Sequence, residues 1–442
     1  MPHDEQGTGG RGDLPVTADL PGDPTQDRHP TTDRVVFGVT AVLTLAFVVW
    51  GATATDSLEA VSSSMLNGLI HNGGWAFMLA ASGFVVFALW LAVSRYGRIT
   101  LGQEGEEPEF HTVSWVAMMF SAGMGIGLMF YGVGEPLAHF TNPPPGTHPA
   151  DAADAMQTAV ATTLFHWTLH PWAIYAVVGL AIAYSTFRRR RRQTISAVFE
   201  PLIGSRRAHG GLGRLIDILA IFATLFGSAA SLGLGALQIG SGFHELHWKE
   251  ETGTGLLVLI IEALTVAFVA SAVSGVEKGI QWLSNTNMVL ALILAVFVSG
   301  ADAASIVMGT LSQKGILEPA RWVVVFWGVV TGAVTAIMLL IGNGEGDALA
   351  GLQNLTILVA APFTLVMIGM CVALIRDLRQ DPLIVRRESG VEAVESAVVA
   401  GHAKYAGDFE IRIGPGGGRI TTGLPEGPGP SGPPSPSGPP DH

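Results

Sequence analysis

Long apolar runs separated by short polar segments dominate the chain between residues 35 and 381. A helix that crosses a bilayer needs roughly 20 predominantly apolar residues. Nine stretches meet that length: Val35–Ala54, Trp75–Val93, Val113–Gly134, Thr158–Phe187, Leu215–Gly242, Gly255–Val273, Ile280–Val298, Trp322–Ile341 and Gln353–Ile375. A tenth stretch, Ser299–Leu311, is weakly apolar and rich in small residues. The pattern predicts an all-α membrane protein with about nine spans.

The two ends of the chain are polar and differ sharply from this apolar region. Residues 1–34 are rich in Gly, Pro and Asp and lack the apolar centre of a signal peptide. Residues 382–442 begin with a segment that favours a helix and with Asp408–Ile413, which alternates like a strand. From about residue 414 Gly, Pro and Ser dominate. We therefore predict a disordered tail at 1–34, a transmembrane domain at 35–381 and a cytoplasmic tail at 382–442 that is disordered from about 414.

Composition supports the membrane assignment and excludes several other classes. Only 14% of the 442 residues are charged, whereas soluble domains carry about 25%. The net charge of −12 comes mostly from outside the apolar runs and gives no basis for nucleic-acid binding. The single cysteine, Cys371, excludes a disulfide framework and a cysteine-based metal site. The residues show no nucleophile–base pair, so we do not expect an enzyme.

Arginine clusters predict which loops face the cytoplasm, because positive charge accumulates on that side. They follow the second, fourth and last spans: Arg95 and Arg98, Arg188–Arg192, and Arg376, Arg379, Arg386 and Arg387. This places the amino terminus inside. Nine spans would put the carboxyl terminus outside, where its arginines are unfavourable. Either Ile280–Leu311 is a re-entrant hairpin or a span is missing.

The third apolar stretch is interrupted by Gly123, Gly125 and Gly127. Each glycine weakens a helix by up to ~1 kcal/mol relative to alanine. In a dinucleotide loop such glycines follow a strand, which excludes that interpretation here. Two interpretations stay open: close packing of helices on small residues, or a broken helix whose carbonyls face an ion.

The fourth stretch carries Trp167, Trp172 and Tyr175 around Pro171. In a continuous helix the three rings fall within an arc of ~140°. They form either an aromatic belt at the membrane interface or a cage for a cation that has no hydrogen to donate. His166 lies alongside with His170; these two alone supply too few ligands for a metal site.

Hydroxyl groups line one face of the fifth stretch at Thr224, Ser228 and Ser231. Such hydroxyls commonly bond the carbonyl four residues earlier in their own helix. They also offer neutral oxygens to a cation such as Na⁺. Asp217, Glu262 and Asp302 are carboxylates in or near apolar stretches, which makes them candidates for a functional role.

The segments AGMGIGLMFYG, HWTLHPWAIY and LGLGALQIG resemble the betaine/carnitine/choline transporter family, and the resemblance covers Val35 to Asp381. It implies Na⁺- or H⁺-coupled symport, or exchange, of quaternary ammonium compounds in the plasma membrane. It also implies twelve spans, with two leading helices followed by two inverted five-helix repeats. A homotrimer is expected by the same analogy.

The resemblance also assigns roles to individual residues. The aromatic box around the trimethylammonium group corresponds to Trp167, Trp172 and Tyr175. The flexible stretch that faces the substrate carboxylate corresponds to Gly123, Met124, Gly125 and Gly127. Ion ligands correspond to Ser121 and Met124 through backbone carbonyls, to Thr224 and Ser228 at a second sodium site, and to Ser299, which with Gly300 replaces the family's usual Thr-Ser.

The chain departs from the family at Val298–Ser299, where the seventh span runs directly into a segment that resembles the end of the tenth. The end of the seventh span, the eighth, the ninth and most of the tenth are missing, which accounts for the conflict in orientation. The fold is therefore expected to be an incomplete inverted-repeat transporter. The expected function is Na⁺-coupled transport of an osmolyte such as glycine betaine or choline. The alternative is a truncated, non-transporting remnant or a substrate-binding subunit of the same family.

Overall fold

The computed structural model describes residues 32–103, 105–123, 126–147, 151–248, 253–274, 299–316, 319–341, 348–405, 410–413 and 420–423. Helices make up most of these residues. They are α1 Arg34–Thr53, α2 Thr55–Val93, a 3₁₀ turn Arg95–Arg98, α3 Thr112–Gly123, α4 Ile126–Thr141, α5 Ala152–Trp167, α6 Leu169–Ala183 with a π-helical turn Tyr184–Arg188, α7 Ile195–Val198, α8 Glu200–Ile203, α9 Ser205–Ala208, α10 Gly211–Glu245, α11 Thr254–Ser274, α12 Ser299–Ser312, α13 Arg321–Leu340, α14 Ala348–Leu378 and α15 Pro382–Tyr405.

Seven helical segments in the described part of the chain are long and apolar enough to cross a membrane. They are Arg34–Thr53, Thr55–Val93, Ala152–Arg188, Gly211–Glu245, Thr254–Val273, Arg321–Leu340 and Leu349–Leu378. The expected all-α membrane fold is confirmed. The predicted seventh span, Ile280–Val298, lies outside the described residues.

The third predicted span differs from the prediction in its organisation. Val113–Gly134 was expected as one interrupted span, and the structure instead has α3 of 12 residues and α4 of 16 residues. Neither alone reaches the roughly 20 residues that a spanning helix needs. Helix α4 continues past the predicted end to Thr141 and contains Pro136.

Small residues bring the central helices close together. A Cβ atom added to Gly332 of α13 would lie 2.4 Å from Oγ1 of Thr265 in α11. One turn further along α13, the Thr335 hydroxyl donates a hydrogen bond of 3.2 Å to the carbonyl of Ala229 in α10. Glycine and hydroxyl residues at such contacts are typical of packing between membrane helices. Helices α10, α11 and α13 therefore form the centre of the bundle.

A second apolar cluster holds α6 in place. It consists of Phe84 from α2, Ala173 and Val177 from α6, and Met367 from α14. Burial of Ala173 and Val177 fixes which face of α6 turns toward its neighbours. The remaining face carries Trp172 and Tyr175, the aromatic residues singled out in the sequence.

The C-terminal unit, residues 375–442, contains α15 and a two-stranded antiparallel sheet. Strand β1 is Glu410–Ile413 and strand β2 is Ile420–Gly423. Glu410 pairs with Gly423 and Ile413 with Ile420. The sequence predicted the first strand, but β2 lies within the segment that was expected to be disordered from about residue 414.

Candidate functional site

Trp167, the last residue of α5, lies against α4. Its ring stacks on Tyr131 with centroids 5.5 Å apart and planes inclined by 26°. A Cβ atom on Gly127 would lie 3.3 Å from Cη2 of the indole. Gly127 therefore allows the ring to approach the backbone of α4, which gives this glycine a packing role beside Trp167.

Polar contacts fix the same indole in one orientation. Trp167 Nε1 donates a hydrogen bond of 2.8 Å to Oε2 of Glu135. The other oxygen of Glu135 lies 3.1 Å from Nδ1 of His166. The Tyr131 hydroxyl accepts a hydrogen bond of 2.8 Å from Nε2 of Gln353. Helices α4, α5 and α14 thus meet around one carboxylate and two aromatic rings.

Sequence reasoning missed Glu135 and Tyr131. Glu135 directly follows the third apolar stretch, which ends at Gly134. The rule that carboxylates at membrane depth are functional candidates applies to it as it does to Asp217. Helix α4 extends beyond the predicted end, and this extension includes Glu135 in the helix.

The predicted fourth span is not one continuous helix. Thr168 separates α5 from α6 with φ −98° and ψ −102°, and its hydroxyl donates to the carbonyl of Leu164. Trp167 therefore belongs to one helix, while Trp172 and Tyr175 belong to the next. The arc of ~140° assumed a single helix and is wrong for Trp167.

Trp172 and Tyr175 pair with each other on α6. Their ring centroids are 5.8 Å apart and the planes are inclined by 38°. Trp172 is 47% exposed and Tyr175 is 62% exposed. The structure thus places the three predicted box residues in two groups: Trp167 with Tyr131, and Trp172 with Tyr175.

The glycine stretch lies at the junction of α3 and α4. Ser121 and Gly123 belong to the last turn of α3, and α4 begins at Ile126. Met124 and Gly125 lie outside the described residues. The proposed contacts of Ser121, Gly123, Met124 and Gly125 with substrate or ions stay predictions.

The hydroxyl groups of α10 bond their own helix. Thr224 donates to the carbonyl of Ala220 at 2.8 Å, and Ser228 donates to the carbonyl of Thr224 at 2.6 Å. This is the common behaviour of such residues in membrane helices. Each oxygen retains lone pairs that can accept or coordinate. Ser299, the remaining predicted ion ligand, is the first residue of α12.

A separate polar cavity of about 160 Å³ lies near the first residues of α1 and α10. Asp217 of α10 accepts hydrogen bonds from the amide and the hydroxyl of Ser196 at 2.9 and 2.8 Å. Arg214 Nε lies 3.2 Å from Oδ2 of Asp33. Asp217 thereby anchors the segment that follows the arginine run. Of the other two carboxylate candidates, Glu262 is exposed on α11, and Asp302 belongs to α12.

The carboxylate of Asp33 caps α1 by accepting from the amides of Val35 and Val36 at 3.0 and 3.2 Å. Burial acts to raise the pKa of Asp33, but these two amides and the charge of Arg214 outweigh it. The pKa therefore lies below its ordinary value of 3.8. The carboxylate remains charged at neutral pH and ties the start of α1 to α10.

Comparison with known proteins gives a consistent family. The profile for the BCCT, betaine/carnitine/choline family transporter, matches residues 35–299 and 290–383. The betaine/ectoine transporter LcoP of Corynebacterium glutamicum is 34% identical over 87% of this chain and 84% of its own length. The glycine betaine transporter OpuD of Bacillus subtilis is 44% identical over 63% of this chain and 54% of its own. Glycine betaine transporter 1 of Vibrio parahaemolyticus is 43% identical over 60% of this chain. The chain spans about half of these last two relatives.

The family match is divided into two segments. They overlap at residues 290–299, which include Val298–Ser299, where the sequence analysis expects the missing spans. The alignment with LcoP covers 529 positions, which exceeds the 442 residues of this chain. Part of that relative therefore has no counterpart here.

Proposed function

This chain belongs to the betaine/carnitine/choline family of transporters, and from that premise we propose that it carries a quaternary ammonium osmolyte across the plasma membrane. Glycine betaine is the first candidate substrate and choline the second. The amino terminus lies in the cytoplasm in this proposal. The observation that carries it is the position of Trp167, held by Glu135 and stacked on Tyr131, beside a helix break that leads to Trp172.

The aromatic residues suit a cation that cannot be hydrogen-bonded. A trimethylammonium group has no N–H, so it is attracted to the faces of aromatic rings. Trp172 and Tyr175 form an exposed pair on α6, and such contacts contribute about 0.5–2 kcal/mol each. In the proposal, these rings and Trp167 hold the ammonium group.

The other end of a betaine molecule is a carboxylate. The amides in the first turn of a helix have no acceptor within that helix, and the helix dipole places positive charge there, so the start of α4 favours an anion. Gly127 lies in that turn, and its lack of a side chain lets the Trp167 ring lie close to the start of the helix. We assign the carboxylate to this glycine stretch, in agreement with the family's pattern.

Sodium is the proposed coupling ion. The candidate ligands are the carbonyls of Ser121 and Met124 and the hydroxyls of Thr224, Ser228 and Ser299. The hydroxyls of Thr224 and Ser228 donate to carbonyls of their own helix, so their oxygen lone pairs are free to face a cation. Weak coordination by neutral oxygens suits an ion that must also be released.

A second function is favoured by the interruption at residues 290–299. Alternating access requires two repeats to move around a shared site, and the missing spans belong to the second repeat. The chain would then bind the osmolyte without moving it, as a remnant or as a substrate-binding subunit.

One experiment separates the two functions. The purified full chain is reconstituted in proteoliposomes, and uptake of radiolabelled glycine betaine is measured with and without an inward sodium gradient. Na⁺-coupled transport predicts uptake that depends on the sodium gradient. Equal uptake in both conditions rejects sodium coupling but not transport. Absent uptake with a betaine-dependent change in tryptophan fluorescence supports the binding function. Absence of both contradicts both proposals.

The oligomeric state is a separate proposal. The family analogy predicts a homotrimer, and native mass spectrometry of the purified protein tests it. A monomer under conditions that preserve binding would contradict it.

A further inference from the structure

Glu135, His139 and His166 converge between α4 and α5. Glu135 and His139 are four residues apart on α4, so both face the same neighbour, and His166 lies opposite on α5. One carboxylate oxygen and one nitrogen from each imidazole all lie within 4.8 Å of one another. The two imidazole rings have centroids 5.7 Å apart.

Two imidazoles and one carboxylate form a recognised donor set for zinc. Zn²⁺ binds such groups at about 2.0–2.2 Å and leaves a fourth position open to water or substrate. Tetrahedral ligands at that distance lie roughly 3.3–3.6 Å from one another. Glu135 Oε1 and His166 Nδ1 are 3.1 Å apart, and the ligand atom of His139 lies within 4.8 Å of both, so binding requires the imidazole of His139 to move closer to them.

The state of His139 is an independent indication of a missing ligand. Its Nε2 atom is shielded from solvent and has no hydrogen-bond partner among the described residues. A buried polar atom without a hydrogen-bond partner is unfavourable. A metal ion bound through this nitrogen would satisfy it.

The surroundings also orient the carboxylate for coordination. Trp167 Nε1 donates a hydrogen bond to Oε2 of Glu135. The other carboxylate oxygen, Oε1, faces Nδ1 of His166. Hydrogen bonds from outside the ligand set are a regular feature of zinc sites, because they fix ligand orientation. The neighbouring His170 is directed elsewhere, with Nδ1 3.0 Å from the carbonyl of Phe165.

We propose that Glu135, His139 and His166 bind a divalent transition-metal ion of the zinc class, which bridges α4 and α5 beside Trp167. The proposal does not depend on transport. In the sequence, His166 and His170 were the only neighbouring histidines considered as metal ligands, and no third ligand was found for them. Helix packing replaces His170 with two residues from α4.

The test is a zinc titration of the full chain, purified in detergent without a histidine tag and stripped of metal by a chelator. Competition with a chromophoric zinc indicator measures affinity and stoichiometry. One Zn²⁺ per chain is expected, with affinity at least about tenfold weaker in His139→Gln and in His166→Gln. His71→Gln, a change of an exposed histidine on α2, serves as the matched control and retains wild-type affinity.

A second measurement covers the case in which a variant folds poorly. Thermal unfolding with and without Zn²⁺ should show stabilisation of the wild type and of His71→Gln, and none of His139→Gln. Co²⁺ in place of Zn²⁺ should give the visible absorption of a four-coordinate ion in the wild type. Absence of stoichiometric binding, or binding unchanged in both ligand variants, overturns the proposal.

Discussion

The indole nitrogen of Trp167 lies 2.8 Å from Oε2 of Glu135, across the contact between α5 and α4. This bond joins residues that are 32 positions apart in the chain. The bond orients the indole so that one face stacks on Tyr131. It also gives Oε2 of Glu135 a hydrogen-bond donor. The proposed substrate site and the proposed metal site share this contact.

Replacing Trp167 by Phe removes the donor and preserves an aromatic ring. The bond holds the ring that is proposed to contact the ammonium group, and a cation–π contact contributes about 0.5–2 kcal/mol, so binding of betaine should weaken by roughly 2–30-fold. Equilibrium binding of radiolabelled betaine to the detergent-solubilised protein measures the change. Tyr131→Phe, which removes a hydroxyl and leaves the stacked ring, should have a smaller effect. Equal affinity of Trp167→Phe and the wild type would contradict this role.

Trp172→Leu tests the aromatic pair on α6. Loss of one cation–π contact of about 0.5–2 kcal/mol predicts betaine binding that is roughly 2–30-fold weaker. Trp75→Leu is the control, because Trp75 is also an exposed tryptophan, at 67%, but lies on α2. The same equilibrium binding assay serves both variants. An equal loss in both would mean that Trp172 acts through general stability and not through substrate.

Gly332→Ala tests the close contact of α13 with α11. The added Cβ would lie 2.4 Å from Thr265 Oγ1, and overpacking of this kind costs about 1–3 kcal/mol. We expect a lower unfolding temperature in detergent. Gly179→Ala on α6 meets nothing within 4 Å and should be neutral or stabilising, because alanine favours a helix over glycine by about 1 kcal/mol. Destabilisation by both substitutions to the same extent would argue against the specific contact.

The Asp33 carboxylate predicts a pH-dependent contribution to stability. Its pKa in the folded protein is below the ordinary value of 3.8, so its stabilising contribution is fully present above that value. The contribution disappears as the pH falls through the folded-state pKa. Asp33→Asn retains a capping oxygen but loses the charge that pairs with Arg214.

The wild type should therefore be more stable than Asp33→Asn at pH 7, by less than about 1 kcal/mol, since Arg214 is partly exposed and solvent screens the pair. The difference should shrink toward zero as the pH is lowered below 3.8. Thermal unfolding of both proteins across this range measures it. A difference that is independent of pH would show that the charge of Asp33 contributes nothing.

The helical spans and the family could be predicted because their signals are local. Apolar runs of sufficient length mark a membrane helix without knowledge of its neighbours, and motifs such as HWTLHPWAIY are continuous in sequence. The break at Thr168 lies within such a motif and was not predicted. Its backbone angles depend on contacts that apolarity alone does not encode.

Local patterns in the chain thus specify that it enters a membrane as helices and which residues carry aromatic, hydroxyl and carboxylate groups. Tertiary packing decides which of those groups meet. It brings Trp167 into contact with Glu135 and not with Trp172. It brings His166 into contact with His139 and not with His170. The physical reason is that a side chain's neighbours across helices depend on how the helices rotate and cross, and these quantities arise only when the whole bundle packs.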